Sequence, residues 1–304
     1  MNVVAGRPPG GSLDDPAVPD RAEVAAAEPM IRLALDEDIG DSDRTGVWTV
    51  PEEMEGEARI VVKGAGVVCG AFVAARVFEV VDRALDVVVA VADGARVTPG
   101  DALIRISGSL RSILAAERTA LNFLARLSGV ATLTARYVEE IADTGCRVAD
   151  TRKTTPGWRT LEKYAVATGG GMNHRTGLYD MVLIKENHVQ AAGGVSAAIE
   201  AALPRARAEG LEVEVEVTDE TELREALQHG PDRVMLDNMS VAELADAVTI
   251  VRNGPLPHPL IEASGGVTLD TVREVARTGV DYISVGALTH SARALDLSLL
   301  VTKR

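Results

Sequence analysis

The sequence predicts an α/β protein in which a smaller N-terminal α/β part precedes a C-terminal β/α barrel, and three observations support this. Residues 56–108 hold short β-branched runs and one helical run between glycines. From residue 146 on, six strand-like runs are interleaved with helical runs by short links. The chain has 304 residues, 46% of them hydrophobic and only 3% aromatic, so a large core must consist mainly of Val, Leu, Ile and Ala.

The sequence of the N-terminal segment predicts a leader followed by a helix. Residues 1–28 are rich in Pro, Gly and Asp and lack the basic start and apolar stretch of a signal peptide, so we expect a mobile leader. In PMIRLALDEDIG, which follows, aliphatic residues recur close to the helical period and Gly40 ends the pattern.

The next segments predict an α+β domain that ends inside a long helical region. EARIVVKG, VVVAVADG and DALIRISG read as antiparallel strands and FVAARVFEVV as a helix among them. The apolar periodicity that follows predicts a long helix with a break at Ser128-Gly129. We therefore place an N-terminal domain at residues 29–128, on which the C-terminal tail could also pack, and a catalytic barrel at residues 129–304.

The second half predicts a parallel sheet. Repeated β-then-α units need parallel strands, and this many in a row favour a closed or nearly closed barrel over an open sheet. Chemistry in such barrels collects at the carboxyl ends of the strands. The six strand-like runs are CRVAD, MVLIKEN, LEVEVEV, DRVMLDN, LIEASGG and YISVGAL.

Charge and cysteine content exclude several classes of protein. The net charge of -14 argues against nucleic acid or an anionic membrane as partner, so any bound anion must meet a local basic patch. Cys69 and Cys146 have no CxxC or Cys/His neighbourhood, which excludes a disulfide framework and a zinc site and favours the reducing cytoplasm. No apolar run is long enough to span a bilayer.

Basic residues concentrate between Asp150 and Lys185, where six of them stand against three acidic ones. Taken alone, such a run is as typical of a solvated surface loop as of a binding site. Its position at strand ends favours an anion site. The glycines of GGGMNHR let main-chain N–H groups approach a ligand beside His174 and Arg175, although a glycine-rich loop is weak evidence by itself.

The run LEVEVEV alternates valine with glutamate. A half-exposed strand would account for this pattern, but a central parallel strand has no wet face, so the glutamates would then point into the barrel. Buried carboxylates must be paired, protonated or bound to a metal. We expect Arg152, Lys153 and Lys185 to be their partners.

Two glycine-containing strand ends indicate a phosphate site. In EASGG a Ser-Gly-Gly turn leads toward a predicted helix, and SVGAL repeats the pattern one strand later. Either glycine group alone could be a packing turn. Together, at two late barrel strands, they favour a phosphate cradle of bare amides and a helix N-terminus.

Eight motifs occur in an order that resembles the quinolinate phosphoribosyltransferase family, the carboxylating nicotinate-nucleotide pyrophosphorylases of NAD biosynthesis. The resemblance runs from about Met30 to the C-terminus and departs from the family mainly in the long leader and in Trp158. It implies an N-terminal α/β sandwich domain, an incomplete β/α barrel and a homodimer or larger assembly. The motifs are ERTALNFL, DTRKTTPGWR, GGGMNHR, LIKENH, EVEV, MLDN, EASGG and SVGALTH.

The resemblance also implies a reaction and a set of site residues. Quinolinate and 5-phosphoribosyl 1-diphosphate would react with Mg2+ to give nicotinate mononucleotide, diphosphate and CO2, with no organic cofactor. Lys153, Glu216 and Asp237 would be catalytic, and the last two would hold Mg2+ directly or through water. Quinolinate would be surrounded by Arg118 of a partner subunit and by Arg152, His174, Arg175 and Lys185, and the 5-phosphate by Ser264, Gly265, Gly266 and Gly286. Further substrate-binding residues would be Thr151, Ala287 and Leu288.

Two other functions fit the same fold. One is a related pyrophosphorylase-like enzyme of the kind found with molybdate transport genes, acting on another substrate, which LIKENH and the complete cation set disfavour. The other is a non-catalytic phosphate-binding barrel. An inert descendant would be expected to have lost some of Lys153, Lys185, Glu216 or Asp237, and all four are present.

Overall fold

The computed structural model of the chain describes residues 21–255 and 257–303. It divides into two compact units. The first holds the described chain up to Ala135 together with Thr154–Gly170 and the chain from Leu288 on, and the second holds Arg136–Lys153 and Gly171–Ala287. No helix in the described part of the chain is long and apolar enough to cross a membrane.

The described residues form the following helices and strands. The helices are α1 (Arg21–Ile39), α2 (Arg44–Thr49), α3 (Ala71–Val81), α4 (Leu110–Glu140), α5 (Arg159–Thr168), α6 (Glu186–Ala192), α7 (Val195–Glu209), α8 (Glu220–Leu227), α9 (Val241–Arg252), α10 (Val272–Ala276) and α11 (Ala287–His290). The strands are β1 (Glu55–Val62), β2 (Gly66–Val67), β3 (Asp86–Val89), β4 (Arg96–Val97), β5 (Ala102–Ser109), β6 (Arg147–Ala149), β7 (Val182–Ile184), β8 (Val213–Val217), β9 (Arg233–Asp237), β10 (Leu260–Ser264), β11 (Tyr282–Ser284) and β12 (Leu297–Lys303).

The first unit contains an antiparallel sheet in the order β12-β1-β5-β3. The three runs predicted as strands are β1, β3 and β5, and the helix predicted among them is α3, so these predictions are confirmed. The C-terminal strand β12 pairs along β1, from Gly56 opposite Lys303 to Val62 opposite Leu297. The tail therefore completes the sheet of the first unit, as the N-terminal domain assignment allowed.

Helix α1 begins within the segment that we predicted to be a leader. Residues 21–28 form its first turns, and only residues 1–20 of the leader lie outside the described residues. Packing explains the earlier start, because Ala27 is buried and Glu28 pairs with Arg76 at 2.8 Å. The helix ends at Ile39 before Gly40, whose φ is 59°, as predicted.

Helix α4 runs without a break through Ser128 and Gly129, so the predicted break there is wrong. The Ser128 hydroxyl is buried and bonds to both the amide and the carbonyl of Cys69. A Cβ on Gly129 would lie 2.1 Å from the carbonyl oxygen of Arg293. The glycine therefore allows a close backbone approach rather than a turn. In the division into compact units, the first unit extends along this continuous helix as far as Ala135.

Trp158, the departure from the family pattern, has a packing role in the first unit. Its ring stacks on Phe123 of α4 with 4.7 Å between the centroids and 12° between the planes. An offset stack of this kind buries two large apolar faces at once.

The second unit is built on a sheet of six parallel strands in the order β6-β11-β10-β9-β8-β7. Within this sheet, the strand that comes last in the sequence, β11, pairs with the strand that comes first, β6, as barrel closure requires. A parallel bridge from Ala149 to Met172 continues the sheet beyond β6. No ladder joins Met172 to β7 among the described residues, so the barrel is incomplete. All six predicted strands are present, and β8 lies between β9 and β7, so it is a central parallel strand and not the half-exposed strand that its alternating sequence also allowed.

We expect Gly129→Ala to lower the free energy of unfolding by about 2 kcal/mol or more, because the added methyl group overpacks against backbone that cannot easily move. Helix propensity alone would change stability by about 1 kcal/mol in the opposite direction. Denaturant unfolding checks this. Gly64→Ala is the matched control, since the nearest atoms to its Cβ lie 3.9 Å away. Equal stability of the two variants would contradict the packing role of Gly129.

Candidate active site

The predicted site residues of the second unit lie at one edge of its sheet. Parallel strands that pair in register end together, and Ser264, which ends β10, lies opposite Asp237, which ends β9. The other residues follow β6, the bridged Met172, β7 and β11, or lie near the end of β8. This strand-end edge brings together Thr151, Arg152, Lys153, Arg175, Lys185, Glu216, Asp237, Ser264, Gly265, Gly266, Gly286 and Ala287. Arg118 is exposed on α4 and Leu288 is buried in α11, and both belong to the first unit.

Arg152 and Arg175 lie close enough to influence one another electrostatically. Burial lowers the pKa of Arg175, and the positive charge of Arg152 lowers it further. One Arg175 guanidinium nitrogen donates to the carbonyl of Met181 at 3.3 Å. Lys153 is exposed, and its amide donates to the Thr151 hydroxyl, which forms a tight turn after β6. The strand-end edge therefore holds several positive charges close together, and a bound anion would offset the repulsion between them.

Lys185 and Glu216 form an ion pair across neighbouring strands. The ammonium nitrogen lies 2.7 Å from Oε2 of Glu216, and the carboxylate is 11% exposed against 48% for the lysine. The register sets this contact, because Ile184 pairs with Val215 and places the next residues side by side. The expected pairing of a strand β8 glutamate with Lys185 is confirmed.

Glu214, two residues earlier on β8, is fully buried and has a different partner. Its Oε2 accepts a hydrogen bond from Nε2 of His174 at 2.9 Å, and Oε2 of Glu262 lies 3.4 Å from the same nitrogen. Ser284 donates to the other oxygen of Glu262. The expectation that Arg152 or Lys153 would pair with this carboxylate is wrong, because Glu214 points into the barrel deeper than the strand-end edge. These four residues are called the buried His/Glu cluster below.

The His174 side chain is only 6% exposed, and the protein uses both of its ring nitrogens. Nδ1 accepts the backbone N–H of Arg175 at 2.7 Å, and the backbone N–H of His174 donates to the buried carboxylate of Asp150 at 2.9 Å. These bonds fix the backbone that carries Arg175. The contact of His174 with substrate stays a prediction.

Two effects compete for the protonation of His174. Burial lowers its pKa, but hydrogen bonds and charges of Glu214 and Glu262 outweigh burial and raise it to about 9. The Arg175 amide opposes this increase, because it donates to a lone pair on Nδ1 that the imidazolium lacks. Nε2 carries a proton in either state, so the hydrogen bond to Glu214 persists. Burial and the charge of Glu262 in turn raise the pKa of Glu214.

The buried His/Glu cluster has the composition of a metal site, since one ligand atom from each of His174, Glu214 and Glu262 lies within 4.8 Å of the others. The separation of 2.9 Å between Nε2 and Oε2 is that of a direct hydrogen bond. We interpret the cluster as hydrogen-bonded, with the imidazole taking the position between carboxylates that a cation would otherwise occupy.

The glycine turn (Ser264, Gly265 and Gly266) begins at the last residue of β10, and its two glycines have left-handed backbone with φ angles of 100° and 62°. The prediction that it leads directly into a helix is wrong, because α10 begins only at Val272. The intervening residues form a turn of their own, in which the Thr268 amide donates to the Thr271 hydroxyl. Bare amides of the glycine turn, rather than a helix N-terminus, are available to a phosphate.

Sequence reasoning missed three residues that shape the edge. Glu214 and Glu262 were not recognised as an interacting pair, because only a register alignment of β8, β9 and β10 places them on one face. Asn238 was passed over inside MLDN. An Asn directly after a strand end is a typical left-handed residue, and this signal could have identified it.

Comparison with known proteins agrees with these motifs. The family profile described as "Quinolinate phosphoribosyl transferase, N-terminal domain" matches residues 43–128, and that described as "Quinolinate phosphoribosyl transferase, C-terminal domain" matches residues 130–300. "Quinolinate phosphoribosyltransferase [decarboxylating] 1b" of Nicotiana tabacum is 43% identical over 90% of this chain and 81% of its own. "Probable nicotinate-nucleotide pyrophosphorylase [carboxylating]" of Synechocystis sp. is 42% identical over 91% and 92%.

A solved structure shows the same architecture. The nicotinate-nucleotide pyrophosphorylase from Francisella tularensis superposes with a TM-score of 0.87 and 38% identity, covering 96% of this chain and 100% of that chain.

We expect His174→Ala to cost about 3 kcal/mol or more in the free energy of unfolding, because it leaves two buried carboxylates facing one another. His290→Ala, an exposed histidine, is the control. Adding Glu214→Gln to the His174→Ala variant should recover part of the loss, as denaturant unfolding at pH 7 would measure.

The same variant supplies a pH test. Burial and Glu262 raise the folded-state pKa of Glu214, so the folded variant binds protons more tightly than the unfolded chain, and lowering the pH from 7 toward about 5 should restore stability. A deficit that grows on acidification would contradict the cluster's electrostatic role.

Proposed function

The chain belongs to the quinolinate phosphoribosyltransferase family, and we propose on that premise that it transfers the phosphoribosyl group of 5-phosphoribosyl 1-diphosphate to quinolinate. The products are nicotinate mononucleotide, diphosphate and CO2, within NAD biosynthesis. The observation that carries this proposal is the concentration of cations at the strand-end edge of a protein whose net charge is -14.

Charge neutralisation is the first task of the site. Quinolinate carries two carboxylates and its co-substrate several phosphate charges, so the two repel unless fixed cations lie around them. Arg152 and Arg175 suit planar carboxylates, because a guanidinium binds them through two parallel hydrogen bonds. Lys153 and Lys185 serve as point charges, with Lys153 between the pyridine ring and the diphosphate. Thr151 and His174 complete the quinolinate pocket.

Bond formation follows from this placement. The pyridine nitrogen donates its lone pair to C1 of the ribose while the C1–O bond to diphosphate breaks, so positive charge develops on the sugar ring. Glu216 and Asp237 supply negative charge on that side. The chain needs no general base for this step, since no proton is removed, and most of the acceleration comes from positioning and electrostatics.

Decarboxylation uses the charge created in the first step. When the 2-carboxylate leaves as CO2, the electron pair of the broken bond stays on the ring carbon beside the nitrogen, which is now cationic and stabilises it. A proton then replaces CO2 at that carbon. No organic cofactor is required.

Mg2+ fits the carboxylates at the ends of β8 and β9. Glu216 pairs with Met235, two residues before Asp237, so the two side chains share a face of the sheet. Carboxylate oxygens are the ligands that Mg2+ prefers, held directly or through water. Bound there with substrate, Mg2+ would offset the charge of the diphosphate leaving group.

The 5-phosphate would lie at the glycine turn and at the start of α11. Ser264 offers a hydroxyl, and Gly265 and Gly266 offer amides without side-chain obstruction. Gly286 would supply a further backbone amide from the loop after β11, and Ala287 and Leu288 would supply amides at the start of α11.

We place the reaction in the cytoplasm. Both cysteines are unpaired and buried, which suits a reducing compartment.

The reaction is tested with quinolinate labelled in its 2-carboxylate. Labelled CO2 should appear only when protein, Mg2+ and 5-phosphoribosyl 1-diphosphate are all present, and a chelator should stop its release. Arg152→Ala should lower kcat/KM by about 10²–10³-fold with the fold intact, because it removes a fixed charge from the binding pocket. Arg147→Ala changes an exposed arginine at the opposite end of β6 and should leave activity within about threefold.

No labelled CO2 with quinolinate would exclude the proposed reaction and favour the related enzyme with another substrate. Near-normal turnover by Arg152→Ala would contradict the charge-pairing account.

We further propose a homodimer or larger assembly in which Arg118 of one copy completes the quinolinate pocket of another. Arg118 is exposed on α4 and belongs to the first unit, whereas the strand-end edge belongs to the second.

Subunit mixing tests this arrangement. Arg118→Ala and Arg152→Ala proteins should each be inactive, but their mixed dimers contain one intact pocket and should recover about a quarter of wild-type activity after subunit exchange. Separate tags would confirm by co-purification that mixed dimers have formed. Mixed dimers with no activity would contradict the shared pocket.

A further inference from the structure

We propose that Asn238 is a positioning residue that holds the Asp237 carboxylate and the glycine turn in one fixed arrangement. It would thereby couple the Mg2+ and ribose contacts to the phosphate contacts of the co-substrate. This inference rests on the proposed function and assigns a role to a residue that the reaction itself does not require.

The backbone of Asn238 is unusual. Its φ of 55° is left-handed, and it is the one non-glycine residue with positive φ among those the structure describes. Left-handed backbone is costly for most side chains and persists where the surroundings determine it, which is common at functional sites. Glycine would adopt this φ with less strain. The presence of a side chain here therefore needs a reason.

The side chain of Asn238 contacts Asp237. Its amide nitrogen donates to Oδ2 of Asp237 at 2.6 Å, a hydrogen bond to a charged acceptor. This bond occupies one carboxylate oxygen and fixes the rotation of the group. The other oxygen, Oδ1, takes no part in the bond, so the amide can orient the carboxylate toward a cation.

The same residue contacts the glycine turn through two further atoms. Its backbone N–H donates to the carbonyl of Ser264 at 2.8 Å. Its side-chain oxygen lies above Gly265, where a Cβ would be 2.2 Å from that oxygen and 2.9 Å from the Asn238 nitrogen. Only glycine fits at position 265, because the backbone has a φ of 100° and because any side chain would collide with Asn238.

These three contacts connect the end of β9 to the end of β10. Asp237 and Ser264 are already opposite one another in the ladder, but a ladder does not fix the side-chain rotation of one or the loop path of the other. Asn238 fixes both. 5-Phosphoribosyl 1-diphosphate carries a phosphate and a metal-binding diphosphate on one ribose. It therefore binds best when the distance between the Asp237 carboxylate and the glycine turn is fixed.

Two variants separate the contributions. Asn238→Gly relieves the backbone strain and removes the side-chain amide. Asn238→Asp keeps the size and the tolerance for left-handed backbone but replaces the donor by a carboxylate beside Asp237. The matched control is Asn253→Asp, an exposed asparagine at the end of α9 with φ of -89°.

The measurements are the KM for each substrate, the melting temperature, and calorimetric binding of 5-phosphoribosyl 1-diphosphate with Mg2+. Asn238→Gly should weaken that binding and raise the corresponding KM about tenfold, and Asn238→Asp should do so more strongly. The KM for quinolinate should change less than about twofold and the melting temperature by no more than about 2 °C, because the residue is exposed. Asn253→Asp should match the wild type.

The binding and kinetic results decide whether Asn238 has this positioning role. Unchanged binding in both variants, or equal increases in both KM values together with a lower melting temperature, would overturn it. If the wild type binds 5-phosphoribosyl 1-diphosphate with Mg2+ but releases no CO2 from quinolinate, the proposed reaction is wrong. The calorimetric comparison of the Asn238 variants with the wild type still tests the positioning role in that case. If the wild type does not bind that ligand at all, the positioning role is overturned as well.

Discussion

Repulsion between Arg152 and Arg175 is the interaction on which the account of this protein depends. The chain is strongly acidic, yet it holds two guanidinium groups close enough that one lowers the pKa of the other. Such proximity opposes folding unless backbone and packing enforce it, and it favours any anion that enters. Under the proposed function, the carboxylates of quinolinate would offset the charge of these two guanidinium groups, which the fold already holds in place before the substrate binds.

The layer beneath the cations keeps them in place. The buried His/Glu cluster links the β8 and β10 carboxylates to His174, whose own backbone is tied to Asp150. Because Arg175 follows His174 directly and donates its amide to the imidazole, the cluster fixes the path of the arginine. The carboxylates of this cluster lie below the cations of the strand-end edge, and their attraction lowers the electrostatic free energy needed to hold those cations close together. Glu214 and Glu262 thus support the strand-end edge from beneath, through His174 and Arg175.

Much of this could be predicted from the sequence, because local pattern determines it. Strand periodicity located all six barrel strands, and the rule that parallel strands end together placed Lys185 beside Glu216. Contacts between distant segments could not be predicted in this way. The approach of the Arg293 carbonyl to Gly129 turned an apparent helix breaker into a packing position. The partner of Glu214 depends on how deep in the barrel its side chain lies, where it meets His174. The role of Asn238 depends on the path of the chain at the end of β10, where Asn238 contacts Ser264.

The most direct test of the central claim is a crystal structure of the protein with quinolinate bound. The account predicts that both carboxylates lie at the strand-end edge, within hydrogen-bond distance of the Arg152 and Arg175 guanidinium groups, with the ring nitrogen facing the side of Glu216 and Asp237. Quinolinate bound elsewhere, or bound at this edge with either guanidinium turned away from it, would contradict the claim that these clustered charges exist to hold the dicarboxylate.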